Sequence, residues 1–375
     1  MLLHPAVYIH FPWCVRKCPY CDFNSHPLRE QDDFNLYTDA LVADWQAQQH
    51  KYVFTEPFHS VFLGGGTPSL FKPEQMAQVL EQLSLTDTAE VTMETNPGTT
   101  EHHLLAGYVA VGVNRLSIGA QSFHNDQLAK LGRIHSAQET YAAYEQARQS
   151  GFTNINIDLM WGLPEQSVAD ALADLKAAIA LQAEHISWYQ LTIEPKTEFA
   201  VRTPILPRDS VLAEIEAQGL MLLAEAGYHR YEVSAFARTG YRCRHNLNYW
   251  SFGDYAGLGA GAHGKISQTD KNTLTIERTQ KASQPRLYQA SPVTTNVHPV
   301  SRTERPLEFM MNVLRLVDGV ETDTFSQRTG LDWVVIEDTW RHLVSQGLVK
   351  QDRIATTPRG LRYLDSVLAA FLDLD

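Results

Sequence analysis

Three of the four cysteines in this 375-residue chain lie within eight positions, as Cys14-Val-Arg-Lys-Cys18-Pro-Tyr-Cys21. A C-x3-C-x2-C run brings three thiolates to one metal centre and offers no fourth thiolate beside them. A cluster ligated by four cysteines has every iron closed off by protein sulfur, whereas three cysteines on a four-iron cube leave one iron open. The run therefore predicts a reactive metal centre on Cys14, Cys18 and Cys21, and the chain must fold so that this loop faces a ligand.

Two other interpretations of the cysteine run remain open at this point. Structural zinc would need His10 or His26 as its fourth ligand. Such sites usually draw their ligands from two separated pairs, and the chain has no second cysteine pair. A disulfide would leave one of the three thiols unpaired, and we expect no secretion signal ahead of them. The spacing favours an iron–sulfur cluster over both.

The composition predicts a cytoplasmic protein with one large domain and a smaller one. A hydrophobic content of 44% suffices for a large core, and no apolar run is long enough to span a bilayer. The first ten residues show neither a basic region nor a sustained apolar stretch. A net charge of −12 argues against a broad nucleic-acid surface. We therefore expect no nucleic-acid partner and no transmembrane segment.

Short apolar segments alternate with longer amphipathic ones along the first half of the chain. The predicted strands are 7–10, 60–63, 90–94, 115–119, 154–160 and 185–192, and the predicted helices between them include 33–49, 73–83, 137–149 and 168–180. Strands joined through helices of this length pair in parallel. About six such units predict an α/β fold, either an open sheet or a partial barrel.

Polar residues and glycines follow the predicted strands. Cys14 follows the first strand, a Gly-Gly-Gly-Thr-Pro segment the second, Glu94 the third and Gln121 the fourth, while Asp158 lies near the end of the fifth. The carboxyl ends of parallel strands share one face, where ligand groups collect. The five positions therefore predict one shared site.

Each of these residues also has a structural interpretation when it is taken alone. The glycines are compatible with a simple tight turn, since glycine tolerates positive φ. The carboxylate of Asp158 is expensive to bury unpaired, and either a structural partner or ribose hydroxyls would satisfy it. Gln121 could bind loop backbone, and Arg133 could be a solvated helix cation. Their coincidence at successive strand ends favours the shared site.

The cysteine run, the preceding Tyr8-Ile-His-Phe-Pro-Trp and the Gly-Gly-Gly-Thr-Pro segment resemble the radical S-adenosylmethionine proteins. Within that superfamily they resemble the branch that contains oxygen-independent coproporphyrinogen III oxidase and its haem-chaperone relatives. The resemblance covers essentially the whole chain. It implies a partial (β/α)6 barrel that holds a [4Fe–4S] cluster, with S-adenosylmethionine chelating the open iron through its amino and carboxylate groups.

The resemblance also implies which residues contact the cofactor. The matching positions are Tyr8, Gly65, Gly66, Thr67, Glu94, Gln121, Arg133 and Asp158. Tyr8 matches the residue beside the cluster, and the glycines and Thr67 match the segment at the methionyl end. A planar donor such as Arg133 suits the methionyl carboxylate, while Gln121 and Asp158 suit ribose hydroxyls. Two roles remain open for Glu94: it binds the methionyl ammonium, or it is a charge partner for Arg133.

Three features decide between the two members of this branch. The oxidase has a fourth cysteine two residues after the third, where this chain has Phe23. It also has a long segment ahead of its cysteine run, whereas 13 residues precede Cys14 here. The segment His245-Asn-Leu-Asn-Tyr-Trp matches an HNxxYW motif that marks the chaperones. All three indicate a haem chaperone, with oxidative decarboxylation of coproporphyrinogen III in porphyrin biosynthesis as the alternative.

The HNxxYW segment has its own chemical interpretation. An imidazole beside Tyr249 and Trp250 offers one axial nitrogen and a flat apolar surface to a macrocycle. A buried structural loop is the alternative. Cys243 is not part of a C-x-x-C-H motif, so that kind of covalent haem attachment finds no support. We favour His245 as a haem ligand.

The chain beyond about residue 264 changes character. Residues 268–303 are polar and rich in Pro, Thr and Ser, which suggests a connecting region. Helices at 305–317, 322–328, 333–346 and 358–372, with a hairpin at 348–355, predict a winged-helix-like α+β module that covers the barrel mouth or docks a partner. The predicted domains are a barrel core at 1–240, the HNxxYW segment and connecting region at 241–303, and this module at 304–375.

The sequence thus predicts a haem chaperone that carries a [4Fe–4S] cluster and S-adenosylmethionine and delivers haem to acceptor proteins, respiratory ones among them. An electron-donor protein is a further partner if radical chemistry occurs. Oxidase activity is not expected. The residues leave open whether S-adenosylmethionine is cleaved.

Overall fold

The structure is a computed structural model that describes residues 5–99, 104–271 and 273–372. Its strands are β1 (Ala6–Phe11), β2 (Trp13–Cys14), β3 (His26–Pro27), β4 (Phe58–Gly65), β5 (Leu85–Thr95), β6 (Arg115–Gln121), β7 (Ile155–Trp161), β8 (His185–Gln190), β9 (His229–Glu232), β10 (Ala235–Ala237), β11 (Tyr255–Leu258), β12 (His263–Asp270), β13 (Thr273–Gln280) and β14 (Asn296–Pro299).

Helices separate most of these strands. They are α1 (Phe34–Lys51), α2 (Pro73–Leu80), α3 (Leu105–Ala110), α4 (Asn125–Lys130), α5 (Ala137–Gln149), α6 (Val168–Ala180), α7 (Glu198–Val201), α8 (Asp209–Glu225), α9 (Arg244–Trp250), α10 (Pro285–Ala290), α11 (Arg305–Val313), α12 (Asp323–Thr329), α13 (Val334–Ser345), α14 (Pro358–Arg362) and α15 (Leu364–Ala369). Single 3-10 turns occur at Pro68–Leu70 and Pro97–Thr99.

Six parallel strands in the order β1-β4-β5-β6-β7-β8 form the centre of the sheet. They coincide with the six predicted strands, and β1 and β8 are not paired with each other. This confirms the partial (β/α)6 arrangement. All seven residues of β6 are buried, as expected for a central strand with crossover helices on its outer face and the barrel interior on its inner face.

Local signals in the sequence explain where the crossover helices begin. The Ser136 hydroxyl accepts from the backbone N–H of Glu139, whose side chain bonds back to Ser136, and this capping box opens α5. Ser167 and Asp170 form the same arrangement at the start of α6. The predicted helices 137–149 and 168–180 have the observed bounds.

The sheet extends beyond the barrel strands at both edges. Strands β10 and β9 follow β8 in antiparallel pairing, while β11 pairs in parallel with β1 and leads into antiparallel β12, β13 and β14. The segment 268–303, which was expected to be a connecting region, contains the end of β12 and all of β13 and β14. Its polar composition reflects an antiparallel sheet with one face in water, which needs few buried apolar residues such as Ile276.

A buried ion pair fastens this extension to the first crossover helix. Lys281, which follows β13, pairs with Asp44 of α1, and both side chains are almost fully buried. The Tyr288 hydroxyl donates to Asp44 Oδ2 over 2.9 Å, and Lys281 Nζ donates to Thr295 Oγ1 over 2.6 Å. The pair is thus hydrogen-bonded on both sides, which a buried charge pair requires.

The C-terminal helices pack around a second apolar core, separate from that of the barrel. This core joins α11, α12 and α13 to Ile276 of the sheet extension and to Phe252, which follows α9. The predicted hairpin at 348–355 is reduced to isolated antiparallel bridges, Val320 with Ile354 and Val349 with Thr356. The last predicted helix is divided into α14 and α15, because Tyr363 leaves the helical region with φ −111° and ψ 36°.

None of the helices in the described ranges is both long enough and apolar enough to cross a membrane.

Candidate functional site

A cavity of about 530 Å³ opens at the carboxyl ends of the parallel strands. Its walls are formed by the cysteine loop and by inward-facing residues of β4 to β8, and no lining residue comes from the described part of the C-terminal helices. Among the predicted site residues it is lined by Cys14, Cys18, Cys21, Gly65, Gly66, Glu94, Gln121, Arg133 and Asp158. The structure therefore brings together most of the shared site.

The cysteine loop is closed by the short parallel pair of β2 and β3. Cys14 lies opposite Pro27, and the backbone N–H of Leu28 donates to Cys14 O over 2.8 Å. Inside the loop, the N–H of Cys21 donates to Cys18 O over 3.1 Å. Lys17 Nζ donates to the carbonyl of Phe23 over 3.0 Å, which holds the outer edge of the loop. All three cysteines of this loop line the cavity.

Both ring nitrogens of His10 are engaged by the protein. Nε2 contacts the carbonyl of Asn24 at 2.9 Å, and a carbonyl only accepts, so Nε2 carries the proton and Nδ1 accepts from the Tyr8 hydroxyl, also at 2.9 Å. Burial lowers the pKa of His10 to about 4. His10 is therefore not available as a zinc ligand. Throughout the described residues, no three His, Cys, Asp or Glu side chains are grouped to hold a single metal ion.

The donor set of the loop fits an iron–sulfur cluster. Burial raises the pKa of the Cys14 and Cys21 thiols, while hydrogen bonds from Thr67 and Ser25 oppose this rise. The guanidinium of Arg133 stands beside Cys18, with Nη1 3.6 Å from Sγ. Thiolate ligands need such donors and cations, since the metal must displace their protons.

The Gly-Gly-Gly-Thr-Pro turn brings bare backbone into the cavity. Gly65 has φ +113°, and its N–H donates to Glu94 Oε2 over 2.9 Å. A Cβ at Gly65 would overlap the His10 ring, and one at Gly66 would overlap the carbonyls of Trp13 and Phe11. Glycine is needed here both for the left-handed backbone and for the close approach to the cysteine loop.

Two carboxylates face the cavity from neighbouring parts of the sheet. Asp158 accepts from Ser117 Oγ over 2.9 Å and from Asn156 Nδ2 over 2.7 Å, and burial raises its pKa. Burial and the Asp158 carboxylate together raise the pKa of Glu94 to about 8. The raised pKa values favour the neutral forms of both carboxyl groups, and a cationic ligand group beside them would favour their ionised forms.

Arg133 and Gln121 are held at the rim in fixed orientations. Arg133 Nη2 donates to Asn96 Oδ1 over 2.5 Å and to Gly119 O over 2.8 Å, while its Nε has no partner among the described residues. Gln121 has φ +65°, and its Oε1 accepts from the Tyr189 hydroxyl over 2.6 Å. No ion pair joins Arg133 to Glu94 within the part of the chain that is described, so the role of Glu94 as its charge partner is not observed.

Three predicted residues lie outside the lining of this cavity. Tyr8 stands behind it and reaches the cysteine loop only through His10. Thr67 Oγ1 accepts a hydrogen bond from Asn96 Nδ2 over 2.9 Å, and Asn96 itself lines the cavity. His245 is buried between Phe62 and Tyr249, with ring centroids at 5.2 and 5.0 Å.

His245 belongs to helix α9, which closes the end of the barrel opposite the cysteine loop. Glu90 Oε1 accepts from the N–H of Arg244 over 2.9 Å and from the Cys243 thiol over 3.4 Å, which ties the start of α9 to β5. Asn246 of the same helix lines the cavity. Burial lowers the pKa of His245 to about 3, so its imidazole is neutral.

The polar side chains of α9 are unusually poorly satisfied. His245 Nε2, Asn248 Oδ1 and Trp250 Nε1 are buried and have no hydrogen-bond partner in the described structure. Buried polar atoms are nearly always paired, so three exceptions on one helix call for an explanation such as a ligand.

Several cavity residues were not predicted from the sequence. They are Asn96, Arg115, Ser117, Asn156, Ser187 and Tyr189. Most of them alternate along β6, β7 and β8, where polar side chains at every second position face inward. This two-residue period within otherwise apolar strands is the signal that would have identified them.

The parallel partial barrel, the three-cysteine loop and the glycine turn define a protein of the radical S-adenosylmethionine class. The pattern of the Radical SAM superfamily matches residues 8–178, and that of the HemN C-terminal domain matches residues 300–363. Proteins named heme chaperone HemW from Haemophilus influenzae and Escherichia coli are 43% and 44% identical, over 98% of this chain and 97% and 98% of theirs. The chain belongs to the HemW family of radical SAM proteins.

More distant comparisons agree with this assignment. The heme chaperone HemW of Bacillus subtilis is 33% identical over 98% of this chain and 99% of its own. The solved structure of coproporphyrinogen III oxidase, HemN, from Escherichia coli matches with a TM-score of 0.80 and 21% sequence identity. The match covers 98% of this chain and 90% of the HemN chain. At that identity the match shows the fold alone, a radical SAM partial barrel with a further C-terminal domain.

Proposed function

We propose that this protein is a haem chaperone, which binds haem and transfers it to acceptor proteins. The observation that carries the proposal is the 43–44% identity to heme chaperones across 98% of the chain. Two features of the chain support it. Phe23 is exposed on the cysteine loop where the oxidase has a cysteine, and α9 carries the HNxxYW motif with its unpartnered polar atoms.

The proposal includes a [4Fe–4S] cluster on Cys14, Cys18 and Cys21, with S-adenosylmethionine beside it. When bound and supplied with an electron by a donor protein, the pair would offer reductive cleavage of a carbon–sulfur bond of S-adenosylmethionine. Arg133 would hold the methionyl carboxylate through its unpartnered Nε, and Glu94 would accept the methionyl ammonium. Gln121 and Asp158 would bind the ribose hydroxyls.

The remaining predicted residues act in support of this cofactor site. Gly65 and Gly66 would let backbone approach the methionyl end. Thr67 would hold the rim through Asn96, and Tyr8 would set the cysteine loop through His10.

His245 is the proposed axial haem ligand. Its imidazole is neutral and its Nε2 is unpartnered, as an iron ligand requires. The ring is almost fully buried, so ligation requires α9 to shift away from Phe62. The short length of α9 and its unpaired polar atoms favour such a local movement.

The proposal assigns cofactor binding to residues 1–240, haem contact to the HNxxYW segment within 241–303, and partner docking to the winged-helix-like module at 304–375. Haem-accepting proteins, with respiratory proteins among them, and an electron donor are the proposed partners. The proposed compartment is the cytoplasm.

The function is tested with anaerobically reconstituted protein. It should bind haem with a defined Soret spectrum and pass it to an apo-haem protein. With coproporphyrinogen III, S-adenosylmethionine and a reductant it should form no protoporphyrinogen IX. Formation of that product would show that the protein is an oxidase and not a chaperone.

A further inference from the structure

Arg115 is a buried cation that neither the cofactor site nor the HNxxYW helix uses. It is the first residue of β6, its relative exposure is 2%, and its side chain lines the barrel cavity. Its one hydrogen bond is a long contact of 3.5 Å from Nη1 to Thr92 Oγ1, and its Nε has no partner among the described residues.

The carboxylates of Glu90 and Asp158 are near enough to stabilise the charge of Arg115, but their hydrogen bonds go to other groups. Glu90 accepts from the N–H of Arg244 and from the Cys243 thiol, and Asp158 accepts from Ser117 and Asn156. No ion pair of the described chain includes Arg115. A guanidinium keeps its charge at any relevant pH, so Arg115 cannot neutralise itself as a buried lysine can.

A second buried arginine shows what a structural role looks like in this fold. Arg305 donates to the carbonyls of Thr329 over 2.7 Å, Leu274 over 3.1 Å and Val300 over 3.4 Å. Arg115 has no comparable set of acceptors. Buried guanidinium N–H groups are nearly always hydrogen-bonded, so the unfilled donors of Arg115 point to an anion that completes the site.

The position of Arg115 separates it from the cofactor contacts. Gln121 ends the strand that Arg115 begins, so the backbone between them spans about 20 Å at about 3.3 Å per residue. Arg133 and Cys18 stand at the Gln121 end. The methionyl carboxylate at the cysteine loop therefore cannot also be the anion at Arg115.

The surroundings of Arg115 indicate the kind of anion. Asn246 of α9 lines the same cavity and carries an amide donor, and Phe62, which pairs with Thr92, adds an aromatic wall at the level of Arg115. The donors of Asn156 and Ser187 are already used within the sheet. One guanidinium with a neutral donor suits a single carboxylate, which it can bind through two parallel N–H bonds. The aromatic wall suits a carboxylate attached to a large apolar body.

We propose that Arg115 forms a carboxylate subsite at the floor of the barrel, next to α9. This inference rests on the proposed function, under which the carboxylate is a propionate of haem. His245 and Arg115 would then act on one ligand, the first through iron and the second through its acidic edge.

The test compares haem with haem dimethyl ester, in which the propionates are uncharged, on reconstituted protein carrying its cluster and S-adenosylmethionine. Wild-type protein should bind haem about ten- to a hundredfold more tightly than the ester, the range for a charge-assisted hydrogen bond. Arg115→Gln should lose haem affinity by a similar factor and no longer discriminate. Arg115→Lys should keep part of the discrimination, and the affinity for S-adenosylmethionine should stay unchanged in both variants.

Arg230→Gln is the matched control, because Arg230 is a partly buried arginine outside the cavity that binds the Val233 carbonyl. It should discriminate as wild type does. Equal binding of haem and ester by wild type overturns the inference, as does full discrimination by Arg115→Gln. Loss of S-adenosylmethionine binding in that variant also overturns it, since Arg115 would then serve the cofactor.

If Arg115→Gln does not fold, the wild-type and Arg115→Lys titrations decide, and undiminished discrimination by the lysine variant overturns the inference. Wild-type protein that binds no haem at all overturns the proposed function as well, and this outcome is distinct from equal binding of haem and ester.

Discussion

Nη1 of Arg133 lies 3.6 Å from Sγ of Cys18, a residue 115 positions earlier in the chain. The same guanidinium donates to Asn96 Oδ1 and Gly119 O. One side chain therefore connects the cysteine loop, the end of β6 and the segment after β5. This arrangement leaves its Nε free for a ligand at the junction of the three.

Replacement of Arg133 should weaken cofactor binding more than cluster assembly. Arg133→Lys keeps the charge but loses the planar fork, so we expect S-adenosylmethionine affinity to fall about tenfold, and Arg133→Met should lower it about a hundredfold. The three cysteines are intact in both, so the visible absorbance of the reconstituted cluster should persist. Equilibrium dialysis measures the affinity, and wild-type affinity in Arg133→Met would contradict the assigned role.

Glu94 should make the stability of the ligand-free protein fall as the pH rises. Its pKa is about 8 in the folded protein and about 4.3 in an unfolded chain, so between these values the folded state binds a proton that the unfolded state lacks. Folding stability from this group is complete near pH 4 and is lost toward pH 8. Glu94→Gln cannot titrate, so its advantage over wild type should grow to a few kcal/mol by pH 8.

Thermal unfolding at pH 5, 6, 7 and 8 measures this difference. Asp158→Asn should shrink the effect, because the Asp158 carboxylate is the second cause of the raised pKa of Glu94. A constant difference between Glu94→Gln and wild type across this range would show that Glu94 is ionised throughout.

Gly65→Ala should destabilise the protein more than a glycine replacement that causes similar backbone strain but no steric overlap. Gly65 and Gly112 have similar angles, φ +113° and +100°, but a Cβ at Gly65 overlaps the His10 ring and one at Gly112 meets nothing within 4 Å. Gly112→Ala should cost about 1 kcal/mol, and Gly65→Ala about 3 kcal/mol. Chemical unfolding measures both, and equal losses would mean that His10 moves aside freely.

His245→Phe should preserve stability while it changes the haem spectrum. Its Nε2 is unpartnered and Nδ1 has only a 3.4 Å contact with Ser60 Oγ, so an apolar ring loses little in the ligand-free protein. Loss of an axial nitrogen should alter the Soret band. An unchanged Soret band in His245→Phe would remove the ligand assignment.

His185 provides the control for this replacement. Both of its ring nitrogens are bonded, to Asn156 at 2.6 Å and to the Tyr231 hydroxyl at 2.9 Å. His185→Phe should therefore cost about 2–4 kcal/mol, because it leaves two buried polar groups unpaired.

Lys281→Met should be strongly destabilising although it removes no contact with the cavity. It leaves the buried Asp44 carboxylate with only its neutral donors, and breaking such a pair typically costs about 3–5 kcal/mol. Lys281→Met combined with Asp44→Leu should recover part of this loss. Thermal unfolding measures both, and a neutral single replacement would show that the pair adds nothing to the docking of the sheet extension.

The parts of the fold that followed from the sequence depend on local patterns. The six barrel strands and the helices α5 and α6 were predicted because apolar periodicity is a pattern of neighbouring residues. The strands β13 and β14 were missed because the sequence of a solvent-exposed antiparallel strand is as polar as that of a loop. The break between α14 and α15 was also missed, because the residue at the break is Tyr363 and not a helix breaker such as Pro or Gly.

The sequence by itself determined the chemistry of the site, since Cys14, Cys18 and Cys21 lie in one loop and Glu94, Gln121 and Asp158 follow or end successive strands. Only the tertiary structure decided which groups are satisfied. Burial and the neighbouring Asp158 raise the pKa of Glu94, the sheet register aligns Arg115 with Thr92, and the packing of α9 leaves His245 Nε2 without a partner. These properties arise from solvent exclusion and from contacts between residues far apart in the chain, which no local pattern encodes.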